Sequence, residues 1–172
     1  MKYFLIILSL GIISYFPAQW SSFTDFVPTF SSPRSTDLNG DGISDIIIGA
    51  GTDSTFSNNG ILAIDGSDGS TLWNTPSYDE VFSSAIFSDI NNDNVPDVFI
   101  GGRNSQFYAL NGVDGSVIWE AFPQGLGLNP ADSGWYNFYS GQFIPDQNSD
   151  MVKDILVANG GDHNANPWDP RP

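Results

Sequence analysis

A nine-residue pattern of oxygen side chains, D-x-N-x-D-x-x-x-D, is written three times in this chain. The copies are Asp37-Leu-Asn39-Gly-Asp41-Gly-Ile43-Ser-Asp45, Asp89-Ile-Asn91-Asn-Asp93-Asn-Val95-Pro-Asp97 and Asp146-Gln-Asn148-Ser-Asp150-Met-Val152-Lys-Asp154. A hard cation such as Ca²⁺ takes six to eight oxygen ligands at about 2.3–2.6 Å in a flexible cage. Side chains at positions 1, 3, 5 and 9 supply such oxygens, and the backbone carbonyl at position 7 adds another. The spacing therefore predicts three structural calcium loops. Their candidate ligands are Asp37, Asn39, Asp41, Ile43 and Asp45, then Asp89, Asn91, Asp93, Val95 and Asp97, then Asp146, Asn148, Asp150, Val152 and Asp154.

An EF-hand would need a bidentate Glu at position 12 and flanking helices. Position 12 here is Ile48, Ile100 or Val157, and each loop runs straight into a β-branched apolar segment such as Ile46-Ile47-Ile48 or Val98-Phe99-Ile100. Such segments read as buried strands. Position 6 is Gly42, Asn94 and then Met151. If it requires a positive φ, Gly and Asn tolerate it and Met does not, so the third loop fits the pattern least well.

A second repeat follows each of the first two loops. Ile61-Leu-Ala-Ile-Asp65-Gly66-Ser-Asp68-Gly69-Ser-Thr-Leu-Trp73 is matched 46 residues later by Phe107-Tyr-Ala-Leu-Asn111-Gly112-Val-Asp114-Gly115-Ser-Val-Ile-Trp119. An apolar run, an Asp-Gly turn and a second apolar run make a hairpin, with Gly supplying the positive φ that the turn demands. The loops recur at 52 and then 57 residues. Repeats near 40–50 residues with four strands each mark a β-propeller. The predicted fold is all-β, a partial β-propeller of about two and a half four-stranded antiparallel blades. The blades span residues 34–75, 84–121 and 137–172, the last incomplete, with residues 21–33 a linker or a closing strand. In blade two the strands are expected at residues 84–88, 97–101, 106–110 and 116–121.

The Asp/Asn loops that lead into Ile-Ile-Gly or Phe-Ile-Gly resemble the FG-GAP/VCBS repeats of α-integrin heads and many bacterial exported proteins. That resemblance implies that each loop joins the first two strands of a blade and binds Ca²⁺ through the ligands named above. The hairpins ending in Trp73 and Trp119 are similar to those of pyrroloquinoline-quinone enzymes and related quinoprotein-like propellers. Together the resemblances cover roughly residues 36–161. Propellers hide their strand edges by closing a ring of four to eight blades, and two and a half blades leave an apolar face and unpaired backbone exposed. The sequence reading favours the N-terminal piece of a longer protein, with copies that complete one another as the alternative.

Residues 1–20 read as a signal peptide, a charged start followed by an apolar core at residues 3–16. That core is short of the roughly 20 residues a membrane span needs, so no span is expected in the mature chain, an uncleaved anchor being the alternative. Export predicts a secreted, periplasmic or cell-surface protein. The chain has no Cys, so cation sites would replace disulfides as its cross-links. Five basic residues against 20 acidic ones, a formal charge of −15, exclude a nucleic-acid footprint. The one His, His163, has no visible partner, Glu80 and Glu120 are not placed together by any motif, and Trp135, Tyr136, Phe138 and Tyr139 read as inter-blade core rather than a sugar platform. No enzyme is indicated. The expected function is a non-catalytic, exported, calcium-binding scaffold for a protein or polysaccharide ligand. The alternatives are the start of a quinoprotein-type dehydrogenase and a subunit that self-assembles through open blade edges.

Overall fold

The computed structural model describes residues 20, 28–121 and 136–160. The expected signal peptide, apart from Trp20, lies outside the described residues, as do Trp135 and His163.

Blade one consists of β1 (Arg34–Thr36), β2 (Asp45–Gly49), β3 (Ser57–Ile64) and β4 (Thr71–Ser77), hydrogen-bonded in that order. Blade two repeats it with β5 (Ile86–Ser88), β6 (Asp97–Gly101), β7 (Phe107–Leu110) and β8 (Val117–Glu120). Every pairing is antiparallel, and the registers coincide: Thr36 faces Asp45 as Ser88 faces Asp97, and Ala63 faces Trp73 as Ala109 faces Trp119. Both second hairpins carry a register shift one residue beyond that Ala. The chain is thus all-β with propeller-like blades, and the apolar runs bounded by Asp and Gly fall in strands because they fit a pleated, buried surface.

The third unit departs from the expected continuous strands. β10 (Gln142–Ile144) pairs with β11 (Asp154–Leu156), and β9 (Asn137–Phe138) pairs separately with β12 (Asn159–Gly160). Ser140 interrupts the strand between them, where its Oγ accepts the Ser84 N–H at 2.7 Å. Residues 28–33 form no strand. They lie across the blades instead, the Ser31 hydroxyl donating to the Ser83 carbonyl at 2.7 Å.

The core lies between blades. Along β6 and β7, Val98, Ile100, Tyr108 and Leu110 join Ile47, Ile61, Ala63 and Trp73 of blade one. Alternate residues Phe99, Phe107 and Ala109 turn to the other side and meet Phe138, Phe143, Ile155 and Val157. A strand pressed on both faces must be apolar at every position, and all of β6 is buried. Among the described residues β2 packs against blade two on one face only, so Ile46 and Ile48 stay half-buried while Ile47 is sealed.

Trp73 latches blade one to blade two. The Trp73 indole donates its Nε1–H to the Gly112 carbonyl at 2.8 Å and lies so close to Gly115 that an added Cβ would stand 2.5 Å from Cε3. Trp20 repeats the arrangement on the matching turn of blade one, donating to the Gly66 carbonyl at 2.8 Å and covering Gly69 at the same 2.5 Å. Gly115 is fixed by that approach and by its φ of +72°, which side chains with a Cβ adopt only at a cost.

Candidate functional site

The three loops share one pattern of hydrogen bonds from backbone N–H groups to side-chain oxygens. The position-1 carboxylate accepts from the N–H groups of positions 4 and 6: Asp37 from Gly40 and Gly42, Asp89 from Asn92 and Asn94, Asp146 from Ser149 and Met151, all at 2.7–3.0 Å. The position-3 amide oxygens of Asn39, Asn91 and Asn148 accept from the N–H groups of Asp41, Asp93 and Asp150. The carboxylates of Asp41, Asp93 and Asp150 accept in turn from Ile43, Val95 and Val152. Short acidic side chains that bond their own backbone two residues on are what bends a chain into so tight a loop.

This curl requires left-handed backbone at two positions. Position 4 has φ of +79°, +64° and +68° at Gly40, Asn92 and Ser149, and position 6 has +85°, +68° and +71° at Gly42, Asn94 and Met151. Met151 is therefore held in a conformation that disfavours its side chain, which points into solvent at 95% exposure.

Position 9 behaves differently from the rest. Asp45, Asp97 and Asp154 each open the second strand of a blade and accept the position-2 N–H, from Leu38, Ile90 and Gln147 at 2.6–2.8 Å. Asp45 and Asp97 are sealed from solvent and reach further, accepting the Gly66 and Gly112 N–H groups at 3.0 and 3.1 Å. These two carboxylates tie the loop to the turn of the second hairpin. The expected ligand set therefore falls into two parts. Positions 1, 3 and 5 ring an exposed loop, and position 9 lies at its base, sealed in the first two loops and half-buried in the third.

The donors suit a hard cation, since every side chain of the nonapeptide at these positions offers oxygen. Among the described residues, no three Asp, Glu or His side chains are gathered closely enough to hold an ion. Hydrogen bonds act on the charges. The Met151 N–H foremost holds the Asp146 carboxyl below its ordinary range, and the Ser67 hydroxyl and N–H do the same for Asp65. Asp65 borders loop one, its carboxylate accepting from the Asn39 amide at 3.1 Å.

Three features went unread in the sequence. Trp20 covers the Gly66–Gly69 turn of blade one as Trp73 covers the matching turn of blade two, and its signal is a Trp about one blade period ahead of Trp73. Gly66 and Gly112 partner the position-9 carboxylates, which the matched turns alone do not reveal. Arg103 pairs with buried Glu80 at 2.9 Å, is 3.6 Å from Asp53, and lies over the Phe82 ring, so Glu80 serves as an ion-pair partner within the packing. Of the aromatic run, Phe138 packs edge-on against Phe107 as inter-blade core, and Tyr139 remains half exposed against Phe82.

Residues 30–64 match the FG-GAP repeat family. The matched stretch takes in β1, the first loop, β2 and β3, and the other two loops share its hydrogen-bond pattern. No curated protein and no solved structure matches the chain. Among the described residues, no helix is long and apolar enough to cross a membrane.

Proposed function

We propose that this chain is a non-catalytic, exported scaffold whose blades are stiffened by Ca²⁺ in the three loops and whose surface receives a protein or polysaccharide ligand. The FG-GAP match suggests a propeller-like extracellular interaction domain. The observation that carries the calcium reading is the backbone wiring shared by three loops that lie 52 and 57 residues apart. A turn that needed only to reverse the chain would not repeat the same oxygens at positions 1, 3, 5 and 9. Asp37, Asn39, Asp41, Asp45 and their counterparts would hold the ion, with Ile43, Val95 and Val152 contributing carbonyls. A bound divalent ion would neutralise each loop's three carboxylates and cross-link the start of one strand to the end of the previous one. The chain's own residues shape the loop, through the left-handed turns at positions 4 and 6 and the clamp at position 9.

Calorimetry and chelation test the reading. At free Ca²⁺ ten times Kd, each site confined to the folded state adds about 1.4 kcal/mol, so three add roughly 4 kcal/mol. That is a large share of a typical stability of about 5–15 kcal/mol. EDTA should lower the melting temperature, and Asp93→Ala should weaken the middle site while the strand signal persists. A melt indifferent to EDTA with no calcium heat would refute it.

A further inference from the structure

The turns of an antiparallel blade alternate between its two ends. The acidic loops and the Asp-Gly turns share one end, while the β6–β7 turn and the link from β4 to β5 lie at the other. At that second end a cleft of about 330 Å³ opens, lined among the described residues by Phe30, Glu80, Phe82, Arg103, Asn137 and Tyr139. Phe30 comes from the segment before β1, Glu80 and Phe82 from the link between the blades, Arg103 from the β6–β7 turn, and Asn137 and Tyr139 from the third unit. Only the fold brings these side chains together.

The polar side of the cleft is fixed in advance. Buried Glu80 donates its N–H to Asp79 Oδ1 at 2.7 Å, its carbonyl accepts the Arg103 N–H at 2.9 Å, and its carboxylate accepts the Arg103 Nε–H at 2.9 Å. Gly102 presses so close to the link that an added Cβ would overlap the Glu80 carbonyl. Asn104 and Ser105, directly after Arg103, both take left-handed backbone, at φ of +56° and +60°. Side chains adopt that conformation at a cost, and such outliers gather where a set geometry is used. Asn137 is 4% exposed, and its Oδ1 has no hydrogen-bond partner among the described residues. A buried acceptor without a donor is uncommon, and the soft terminal torsion of Asn lets the amide turn to meet one.

The other side is aromatic and open. Phe30 is 78% exposed, and Tyr139, expected in the inter-blade core, is 49% exposed with its ring edge-on to Phe82 at 5.2 Å. An aromatic face carries negative charge density, which suits the C–H face of a pyranose ring, while a sugar's hydroxyl rim both donates to a carboxylate or amide oxygen and accepts from a guanidinium or amide N–H. Charge excludes the rival classes. Arg103 is answered by Glu80 at 2.9 Å and Asp53 at 3.6 Å, so an anionic ligand meets no excess of positive charge. A cation finds the Phe82 face already covered by the Arg103 guanidinium, 5.8 Å from the ring centre. The volume is at the small end of ligand sites, about 300–1,000 Å³, and suits a saccharide unit rather than a folded partner.

We infer that this cleft is a subsite for an uncharged hexopyranose unit of a polysaccharide, stacked on Phe30 and Tyr139 and hydrogen-bonded by Glu80, Arg103 and Asn137. The inference rests on the reading of the chain as a ligand-receiving scaffold and names the ligand's class and place. The cleft and the acidic loops occupy opposite ends of the blades, so the two readings fail separately.

The test follows the Arg103 Nε–H resonance of the full, isotopically labelled chain, assigned by its loss in Arg103→Lys; the other arginines are Arg34 and Arg171. The probes are the methyl glycosides of glucose, galactose, mannose and N-acetylglucosamine, with the methyl glycoside of glucuronic acid as the anionic counterpart. At least one neutral glycoside should shift the resonance saturably, and the glucuronide should bind at least tenfold more weakly than the tightest of them. Binding should also weaken at least fivefold in Phe30→Ala, which trims an exposed ring, or in Tyr139→Leu, which keeps an apolar side chain over Gly160. An unmoved resonance with all four neutral glycosides overturns the inference, as does a glucuronide that binds equally well or full affinity in both ring variants. Calcium heat without a sugar shift refutes the subsite alone, and a sugar shift without calcium heat sustains the subsite and refutes the calcium reading alone.

Discussion

Replacing Gly115 by alanine asks whether Trp73 latches blade one onto blade two. The substitution carries two separable costs. At φ +72° the new Cβ sits in left-handed backbone, worth about 1–2 kcal/mol. The same Cβ stands 2.5 Å from Trp73 Cε3 and 2.7 Å from Cδ2, and overfilling a packed contact costs about 1–3 kcal/mol. The combined loss is roughly 2–5 kcal/mol. Trp73→Val removes the ring atoms that the Cβ meets and the N–H that reaches Gly112, at a price of about 3–5 kcal/mol for a buried aromatic. In that background the backbone penalty of Gly115→Ala survives with the 2.9 Å approach to Thr75 Oγ1, and only the clash with the indole is relieved.

A double-mutant cycle should therefore show a coupling of roughly 1–3 kcal/mol, the pair being less damaging than the separate changes predict. Urea denaturation followed by far-ultraviolet circular dichroism measures it without relying on the altered indole, provided the four slopes agree. If Gly115→Ala costs the same in both backgrounds within about 0.5 kcal/mol, the latch is refuted.

Met151→Asn places a residue tolerant of left-handed backbone where loop two already has Asn94, and should raise stability by about 1 kcal/mol; an unchanged urea midpoint would contradict the strain. Asp97→Ala orphans the Ile90 and Gly112 N–H groups beside a sealed site, at about 1–3 kcal/mol each. Asp93→Ala, on the exposed rim, should cost far less in calcium-free buffer, and equal losses would show that position 9 is no clamp. Burial raises the Asp79 carboxyl above its usual 3.8, so its ionisation opposes folding and stability is lost as pH rises through the folded value. Asp79→Asn keeps an acceptor for the Ser54 and Glu80 N–H groups, so its advantage should be absent near about pH 3 and open toward neutrality. A pH-independent difference in urea midpoint would contradict that sign.

The strands of blade two were legible because β-branched and aromatic runs there end in Asp and Gly at both sides. Residues 97–101 are β6 as expected, and the other three strands fall within one or two residues of their forecast. The positive φ at position 6 was legible for the same kind of reason, since Gly42 and Asn94 share a conformational tolerance before they share anything else. The third unit was not. Its broken strand depends on Ser140, whose hydroxyl serves the backbone of Ser84, 56 residues away, and no local propensity encodes that. Trp20 was hidden by its neighbours, because an apolar leader makes any adjacent aromatic look like part of it.

Position 9 shows where spacing alone stops. A carboxylate at that register satisfies a calcium-ligand pattern and equally satisfies a clamp between the loop and the next hairpin. The sequence sees one Asp in either case. Only the partners distinguish the roles, and Asp45 and Asp97 spend their oxygens on Leu38, Ile90, Gly66 and Gly112 while excluded from water. The two roles need not compete, since an oxygen that accepts one N–H retains a second lone pair. What the clamp adds is a mechanical link: the same residue at the base of the loop fixes the turn on which the neighbouring tryptophan rests. Strain or order in a loop is thereby passed to the seam between blades at Asp45 and Asp97, whereas Asp154 makes no such link among the described residues.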